Sequence, residues 1–156
     1  MKVIHHVVYI SASRPPVFAA LTTTDGLSGW WSTQVKAASD VGGIVDFSFV
    51  DDFNPDMEIV ELRPPERLVW KCVGGHEPWA DNTFRFELRK DDSGRTRLRF
   101  WQIYATELDD DAFGVYNYNW GYYLDSLRLL CETGTGKPFE ARRNAGIPAS
   151  SPQRRR

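Results

Sequence analysis

Residues 116–132 constrain the fold most, because their apolar side chains recur with a clear helical period. The stripe advances in steps of four, three and four residues through Trp120, Leu124, Leu127 and Cys131. Residues at such steps share one face of a helix. Gly134 follows the pattern, and glycine readily takes the left-handed conformation that ends many helices. We therefore predict a long helix with one apolar face, which the rest of the chain must cover.

Six earlier segments have the alternation or the β-branched content of strands, at residues 3–10, 44–50, 57–62, 68–73, 83–90 and 95–105. Two short helices are expected between the first two strands, within residues 14–31. An antiparallel sheet needs one face covered, and the long helix is the element able to cover it. We predict an α+β fold in which a curved, six-stranded antiparallel sheet wraps around the C-terminal helix.

The overall composition indicates one globular domain, expected at residues 1–136, followed by a polar, arginine-rich tail at residues 137–156. A formal net charge of −2 argues against nucleic acid or an anionic membrane as a partner. Two cysteines and the lack of a signal-peptide pattern lead us to expect a cytoplasmic protein.

Aromatic side chains make up 13% of the chain, which is the most unusual feature of its composition. So many large rings are difficult to tile into a core without gaps. Rings around an incompletely filled centre would form a ligand cavity, and the alternative is an aromatic-rich core.

The order and spacing of several motifs resemble the START-like, or SRPBCC, superfamily and its domain related to the activator of Hsp90 ATPase. The matching residues include Gly29-Trp30-Trp31, a Gly-Gly pair at 42–43 before a strand, and Pro65-Glu66-Arg67-Leu68-Val69-Trp70. Further matches lie at residues 8–12, 17–22, 58–61, 96–98, 119–120, 124, 127 and 132–134. The resemblance implies the helix-grip fold, with a deep apolar cavity between the sheet and the long helix.

That superfamily includes lipid carriers, polyketide cyclases, oxygenase subunits and chaperone activators, so the fold alone does not decide the function. An iron-binding oxygenase subunit would need a histidine pair and a carboxylate. Of the three histidines, His5 and His6 would point to opposite faces of a strand, and His76 lies alone in a loop. The acidic residues at 107–111 are interpreted as a solvated loop before the helix. We expect neither a metal nor a cofactor.

Our leading hypothesis is the binding of an apolar or aromatic small molecule in the cavity. The inner faces of the predicted strands and the long helix supply its expected lining: Trp31, Phe47, Phe49, Trp70, Phe84, Phe86, Phe100, Gln102, Tyr104, Tyr116, Trp120, Tyr123 and Leu124. Mostly apolar linings with a few polar groups are typical of ligand pockets.

Two other functions stay open. A cyclase- or hydrolase-like enzyme would use Tyr104 and Tyr123 as acid–base groups, although we favour a protein without catalysis. A stress-related protein-interaction module would use an exposed Trp30 or Trp31 together with the Arg97–Arg99–Trp101 face. A homodimer and a chaperone contact are further candidate partnerships.

Overall fold

The computed structural model describes residues 1–141. Its elements in chain order are β1 (Val3–Ile10), α1 (Arg14–Thr22), α2 (Thr24–Trp30), β2 (Gln34–Lys36), β3 (Ile44–Ser48), β4 (Asp56–Arg63), β5 (Arg67–Gly74), a single 3₁₀ turn (Glu77–Trp79), β6 (Thr83–Lys90), β7 (Thr96–Ile103) and α3 (Asp110–Thr133). Most of the predicted tail, residues 142–156, lies outside the described residues.

The strands form one antiparallel sheet of seven strands in the order β1-β7-β6-β5-β4-β3-β2. This confirms the α+β class and the antiparallel sheet around a long C-terminal helix, but the expected count of six strands was wrong by one. The missed strand is β2, in which Gln34 pairs with Ser48 of β3. Three residues are too few to show an alternation that sequence reasoning can detect.

Helix α3 begins at Asp110 rather than near residue 116. The Asp109 side chain caps the helix by accepting a hydrogen bond from the Ala112 N–H at 3.0 Å. Asp110 and Asp111 occupy the first turn, where negative charge is favoured by the positive end of the helix dipole. The acidic segment therefore straddles the start of the helix: Glu107 lies before it, as predicted, and Asp109 caps it. Gly134 ends the helix in the expected left-handed conformation, at φ 87°.

The two short helices follow β1 as predicted, but their caps differ from simple expectation. Ser13 precedes α1, yet its side chain caps nothing. An N-cap oxygen normally accepts from the second or third helical N–H, and Pro15 and Pro16 at those positions have none. Thr23 caps α2, accepting a hydrogen bond from the Gly26 N–H at 3.0 Å.

The core lies between the inner face of the sheet and α3, and the chain stays attached to it beyond the expected domain boundary at residue 136. Phe139 is buried, and its ring centre lies 5.6 Å from that of Phe49. Its backbone N–H donates to the Trp31 carbonyl at 2.8 Å, and its carbonyl accepts from the Thr33 N–H at 3.0 Å. Phe139 lies within the predicted tail but is part of the core, because its aromatic ring fills space beside Phe49.

The backbone of the loop at residues 74–80 passes close to a neighbouring segment at Gly75, and a substitution there can test this close approach. Gly75 has φ +82°, and a Cβ added there would lie 1.8 Å from the Asn54 carbonyl oxygen. Gly94 has a similar φ of +87° with nothing within 4 Å of an added Cβ. We expect Gly75→Ala to lower the free energy of unfolding by about 3 kcal/mol or more, and Gly94→Ala by about 1 kcal/mol. Urea denaturation measures both, and equal losses would contradict the close approach at Gly75.

Candidate functional site

The space between the sheet and α3 is occupied by a cluster of tryptophans centred on Trp31. The Trp31 ring centre lies 5.8 Å from Trp30, 6.3 Å from Trp70, 6.4 Å from Trp79 and 5.0 Å from Trp120. The planes of Trp31 and Trp70 are within 8° of parallel. These side chains come from α2, the sheet, the loop after β5 and α3, so Trp31 joins every layer of the domain.

The end of α2 fixes this central ring. The Trp30 indole N–H donates to the Ala20 carbonyl in α1 at 2.8 Å, and the Trp30 carbonyl accepts from the Ser126 hydroxyl in α3 at 2.9 Å. Trp31 follows as the C-cap residue and turns its ring toward the sheet. Both indoles are buried, with 0% and 3% exposed. The expectation that one of them is exposed was wrong, because the two adjacent rings stack on each other inside the core.

The rings leave a cavity of about 10 Å³ between the sheet and α3. Its lining consists of Trp31, Phe53, Trp79, Tyr116, Asn119, Trp120 and Tyr123. A space of this size holds about one water molecule, whereas ligand pockets usually measure about 300–1,000 Å³. In this conformation the predicted cavity is therefore filled by aromatic side chains.

All of the predicted lining residues are buried: Trp31, Phe47, Phe49, Trp70, Phe84, Phe86, Phe100, Gln102, Tyr104, Tyr116, Trp120, Tyr123 and Leu124. Only Trp31, Tyr116, Trp120 and Tyr123 of this set border the remaining cavity. The others form the packed wall behind it.

Sequence reasoning missed three cavity residues, namely Phe53, Trp79 and Asn119. Phe53 and Trp79 lie in connections between strands, where no periodicity reports the direction of a side chain. Asn119 is a polar residue and lies outside the apolar stripe from which the lining residues of the helix were predicted. The one signal that could have identified Phe53 and Trp79 as buried was the presence of large aromatic rings in connections that are otherwise polar.

A group of buried polar atoms lies within this aromatic interior. The Trp120 indole N–H donates to Gln102 Oε1 at 2.7 Å. The Gln102 amide nitrogen, the Trp79 indole nitrogen and the Tyr104 hydroxyl are buried and form no well-aligned hydrogen bond with any residue in the range 1–141. The same holds for the amide nitrogen of Asn119, which borders the cavity. The Trp79 and Gln102 N–H groups lie within reach of the Tyr104 oxygen, so the interior contains buried polar groups with poorly formed hydrogen bonds.

The environment of Tyr104 bears on its candidacy as a catalytic residue. Burial raises the pKa of Tyr104 well above its ordinary value, and the nearby Tyr116 raises it further. Trp79 and Gln102 lie close enough to lower this pKa in part. A group suited to proton transfer has a pKa near the working pH. Tyr104 is instead held as a neutral phenol, which makes it a poor base.

His76 has no other histidine beside it in the sequence, but the fold brings it partners from other segments. Its Nε2 lies 2.8 Å from the Tyr116 hydroxyl, and its Nδ1 lies 3.3 Å from the Asp52 carbonyl oxygen. The rings of Phe53 and Trp79 pack edge-on against the imidazole at 4.7 and 5.4 Å. His76 thus connects the loop after β5 to α3, a contact between residues too distant in the chain for sequence spacing to reveal.

Within residues 1–141, no three or more His, Cys, Asp or Glu side chains come together as ligands for a metal ion. Over the same range, none of the helices has the length and apolar character needed to cross a bilayer.

Comparison with known proteins places the chain in a family. The sequence profile described as activator of Hsp90 ATPase homolog 1-like protein matches residues 11–132. The chain belongs to this family. The matched range runs from the end of β1 nearly to the end of α3, so the Hsp90-activator-homologue domain includes the whole tryptophan cluster. No curated protein sequence gives a significant match.

Solved structures agree with membership in the Hsp90-activator-homologue family. The Aha1 dimer from Colwellia psychrerythraea is 31% identical, with a TM-score of 0.78 over 87% of this chain and 100% of that one. Protein MLL2253 from Mesorhizobium loti is 20% identical, with a TM-score of 0.71 over 83% and 96%. DynU16, from the dynemicin biosynthetic locus, is 18% identical, with a TM-score of 0.76 over 91% of this chain and 51% of that one. The last two show a shared fold.

The raised pKa of Tyr104 predicts a specific loss of stability at alkaline pH. The unfolded chain ionises this phenol near pH 10 and the folded protein only at higher pH, so stability falls as pH rises above about 10. Tyr104→Phe removes the titrating group, and its free energy of unfolding should fall less steeply between pH 9 and 11 than that of the wild type.

Urea denaturation of the wild type and Tyr104→Phe between about pH 9 and 11 measures this difference in the free energy of unfolding. Burial also raises the pKa of the Cys72 and Cys131 thiols. Both thiols are present in both proteins and cancel in the comparison. Parallel curves for the two proteins would contradict the buried neutral phenol.

Proposed function

We propose that this domain binds a small aromatic molecule carrying a hydrogen-bond acceptor, in the space between the sheet and α3. The observation that carries the proposal is a set of buried polar groups whose hydrogen bonds are poorly formed. The Trp79 and Gln102 nitrogens and the Tyr104 hydroxyl lie inside a core made otherwise of apolar rings.

The energetics support a role for these donors beyond packing. A buried polar group without a partner costs about 1–3 kcal/mol. Phenylalanine at position 104 or 79 would keep most of the ring packing without that cost. A carbonyl or phenolic oxygen of a ligand would supply a better-aligned acceptor, and flat rings would stack on the aromatic side chains around the cavity.

Binding requires the aromatic cluster to open, because the present cavity of about 10 Å³ holds no such molecule. The loop with His76 and Trp79 is the element that supports the cavity from the solvent side. A surface depression lined by Asp52, Gly75, His76 and Ala80 lies on the outer side of this loop. Movement of the loop away from Tyr116 would join that depression to the interior.

Trp79→Phe tests the proposal with a limited change in packing, since it removes the poorly bonded N–H and part of the ring. A panel of flavonoids, polyketides and indoles is titrated against wild type and variant, with isothermal calorimetry as the readout. We expect at least one compound to bind the wild type, and Trp79→Phe to weaken it about tenfold, the loss of one hydrogen bond.

Trp101→Phe is the matched control, because Trp101 lies on the outer face of the sheet, beside His5 and Arg99. Its affinity should equal that of the wild type. No binding by any compound, or equal weakening by both variants, would refute the interior site.

The alternative of an interaction module acting on a chaperone is favoured by a different observation, on the outer face of the sheet. The Arg85 and Arg99 guanidinium carbons lie 5.1 and 4.8 Å from the centre of the Trp101 ring, and His5 stacks on the same ring at 4.7 Å. Arginine and tryptophan are enriched in the energetic centres of protein interfaces. The family description names the activator of Hsp90 ATPase, so this face would be the contact surface of such an activator.

We expect the purified protein to raise the steady-state ATPase rate of Hsp90, and Trp101→Ala to remove at least half of that increase. Arg128→Ala serves as the control, because Arg128 is on α3 and pairs with Asp125 and Glu132. An unchanged ATPase rate with wild-type protein would exclude this candidate. Equal effects of the two variants would exclude the outer face.

A second copy of the chain is also a proposed partner, because the relative from Colwellia psychrerythraea is described as a dimer. Both cysteines are free thiols, as a reducing compartment such as the cytoplasm would keep them.

A further inference from the structure

The two edges of the sheet differ in how they are protected. Strand β2 forms one edge, has three residues and ends in Lys36. Strand β1 forms the other edge, has eight residues and pairs with β7 in continuous register over its whole length. Proteins usually block a long edge with charges, proline or a bulge. The sequence of β1, VIHHVVYI, contains no proline and no acidic, lysine or arginine side chain.

The backbone groups that face this open edge can be assigned from the ladder. Lys2 lies opposite Tyr104, and its carbonyl accepts from the Tyr104 N–H at 3.0 Å. Bonded and non-bonded residues alternate along an antiparallel strand. Ile4, His6, Val8 and Ile10 therefore bond to β7. The N–H and carbonyl groups of Val3, His5, Val7 and Tyr9 point away from the sheet.

Helix α3 runs along the inner side of the same strand. Lys2 Nζ contacts Asp110 Oδ1 at 2.6 Å, His6 Nε2 lies 3.0 Å from Asn117 Oδ1, and the Ser11 N–H donates to Glu132 at 2.8 Å. The last contact also satisfies the outward N–H just beyond the strand. The open part of the edge is thus limited to β1 itself.

The exposed side chains of β1 itself are mostly apolar, although Arg99 and Arg97 of β7 lie opposite Val7 and Tyr9. Val3, Val7 and Tyr9 are 43%, 49% and 43% exposed on the outer side, and Tyr118 of α3 is 74% exposed. Gly114 lies one turn before Tyr118 and has nothing within 4 Å of an added Cβ. A neighbouring backbone could therefore approach the helix closely.

We propose that this edge is the interface with a second copy of the chain, formed by antiparallel pairing of β1 with β1 of that copy. The inference goes beyond ligand binding and names the surface for the second copy proposed above. A strand without charged side chains can face an identical strand without like-charge repulsion.

The alternation of β1 fixes the register. In the matching register, Val3 lies opposite Tyr9 of the second copy and His5 lies opposite its Val7. Every outward N–H and carbonyl group of these four residues then meets a hydrogen-bonding partner. About eight hydrogen bonds then join the two sheets. The two-fold axis passes between the two His6 residues, and Val3 packs against the Tyr9 ring of the other copy.

Val7→Pro tests this interface, because it removes an N–H that points outward and leaves the bonds to β7 in place. Val7→Lys is a second variant with an intact backbone. Val73→Lys is the matched control, since Val73 is 48% exposed but lies on the interior strand β5. Sedimentation equilibrium should give a dimer for wild type and Val73→Lys, and at least a tenfold higher dissociation constant for both Val7 variants. Circular dichroism confirms folding.

Amide hydrogen exchange gives an independent readout. The Val7 N–H should exchange at least tenfold more slowly at concentrations above the dimer dissociation constant than far below it. A dimer that tolerates both Val7 variants, with no protection of this amide, would overturn the β1 interface while leaving self-association in place. A wild-type protein that stays monomeric at millimolar concentration would overturn both. Neither result bears on the small-molecule site.

Discussion

The packing of Trp31 against the rings around it is the interaction on which the rest of the domain depends. A sheet with one open face and a helix with one apolar stripe must be joined by something that fills the space between them. Trp31 contacts Trp70 on the sheet side and Trp120 on the helix side. Loss of this ring would remove contacts in every layer at once.

Trp31 can occupy the centre because its neighbours hold the end of α2 on two sides. Trp30 bonds to Ala20 of α1, and Ser126 of α3 bonds to the Trp30 carbonyl. Phe139 then bonds to the Trp31 carbonyl from beyond the long helix. A short, glycine-containing helix of low intrinsic stability is thereby fixed by tertiary contacts, which is the usual source of stability for such helices.

This core combines dense packing with incomplete polar pairing. Aromatic rings fill almost all of the space, yet Tyr104, Gln102 and Trp79 retain buried groups without well-formed hydrogen bonds. Cores selected only for stability avoid such groups, and departures from that rule concentrate at functional sites. Burial also raises the pKa of Tyr104, so this phenol is held neutral within the same site. These two features are the basis of the binding function proposed above.

The sequence alone determined the class of the fold and the inward side chains of the regular helices and strands. The period of Trp120, Leu124 and Leu127 identified the long helix, and the alternation of Phe84, Phe86 and Leu88 identified the inner face of β6. These signals are local, because the geometry of a helix or strand repeats every few residues. For the same reason β2, with three residues, left no detectable pattern.

Only the tertiary structure decided whether the predicted cavity is open. Its state depends on rings from distant segments, such as Trp79 in a loop and Phe53 in a turn, which no local period places near Trp120. The contact between His76 and Tyr116 is likewise set by how the loop after β5 folds against α3. Packing is a property of volumes meeting in space, so the sequence determined that the centre would be aromatic, and the fold determined that it would be full.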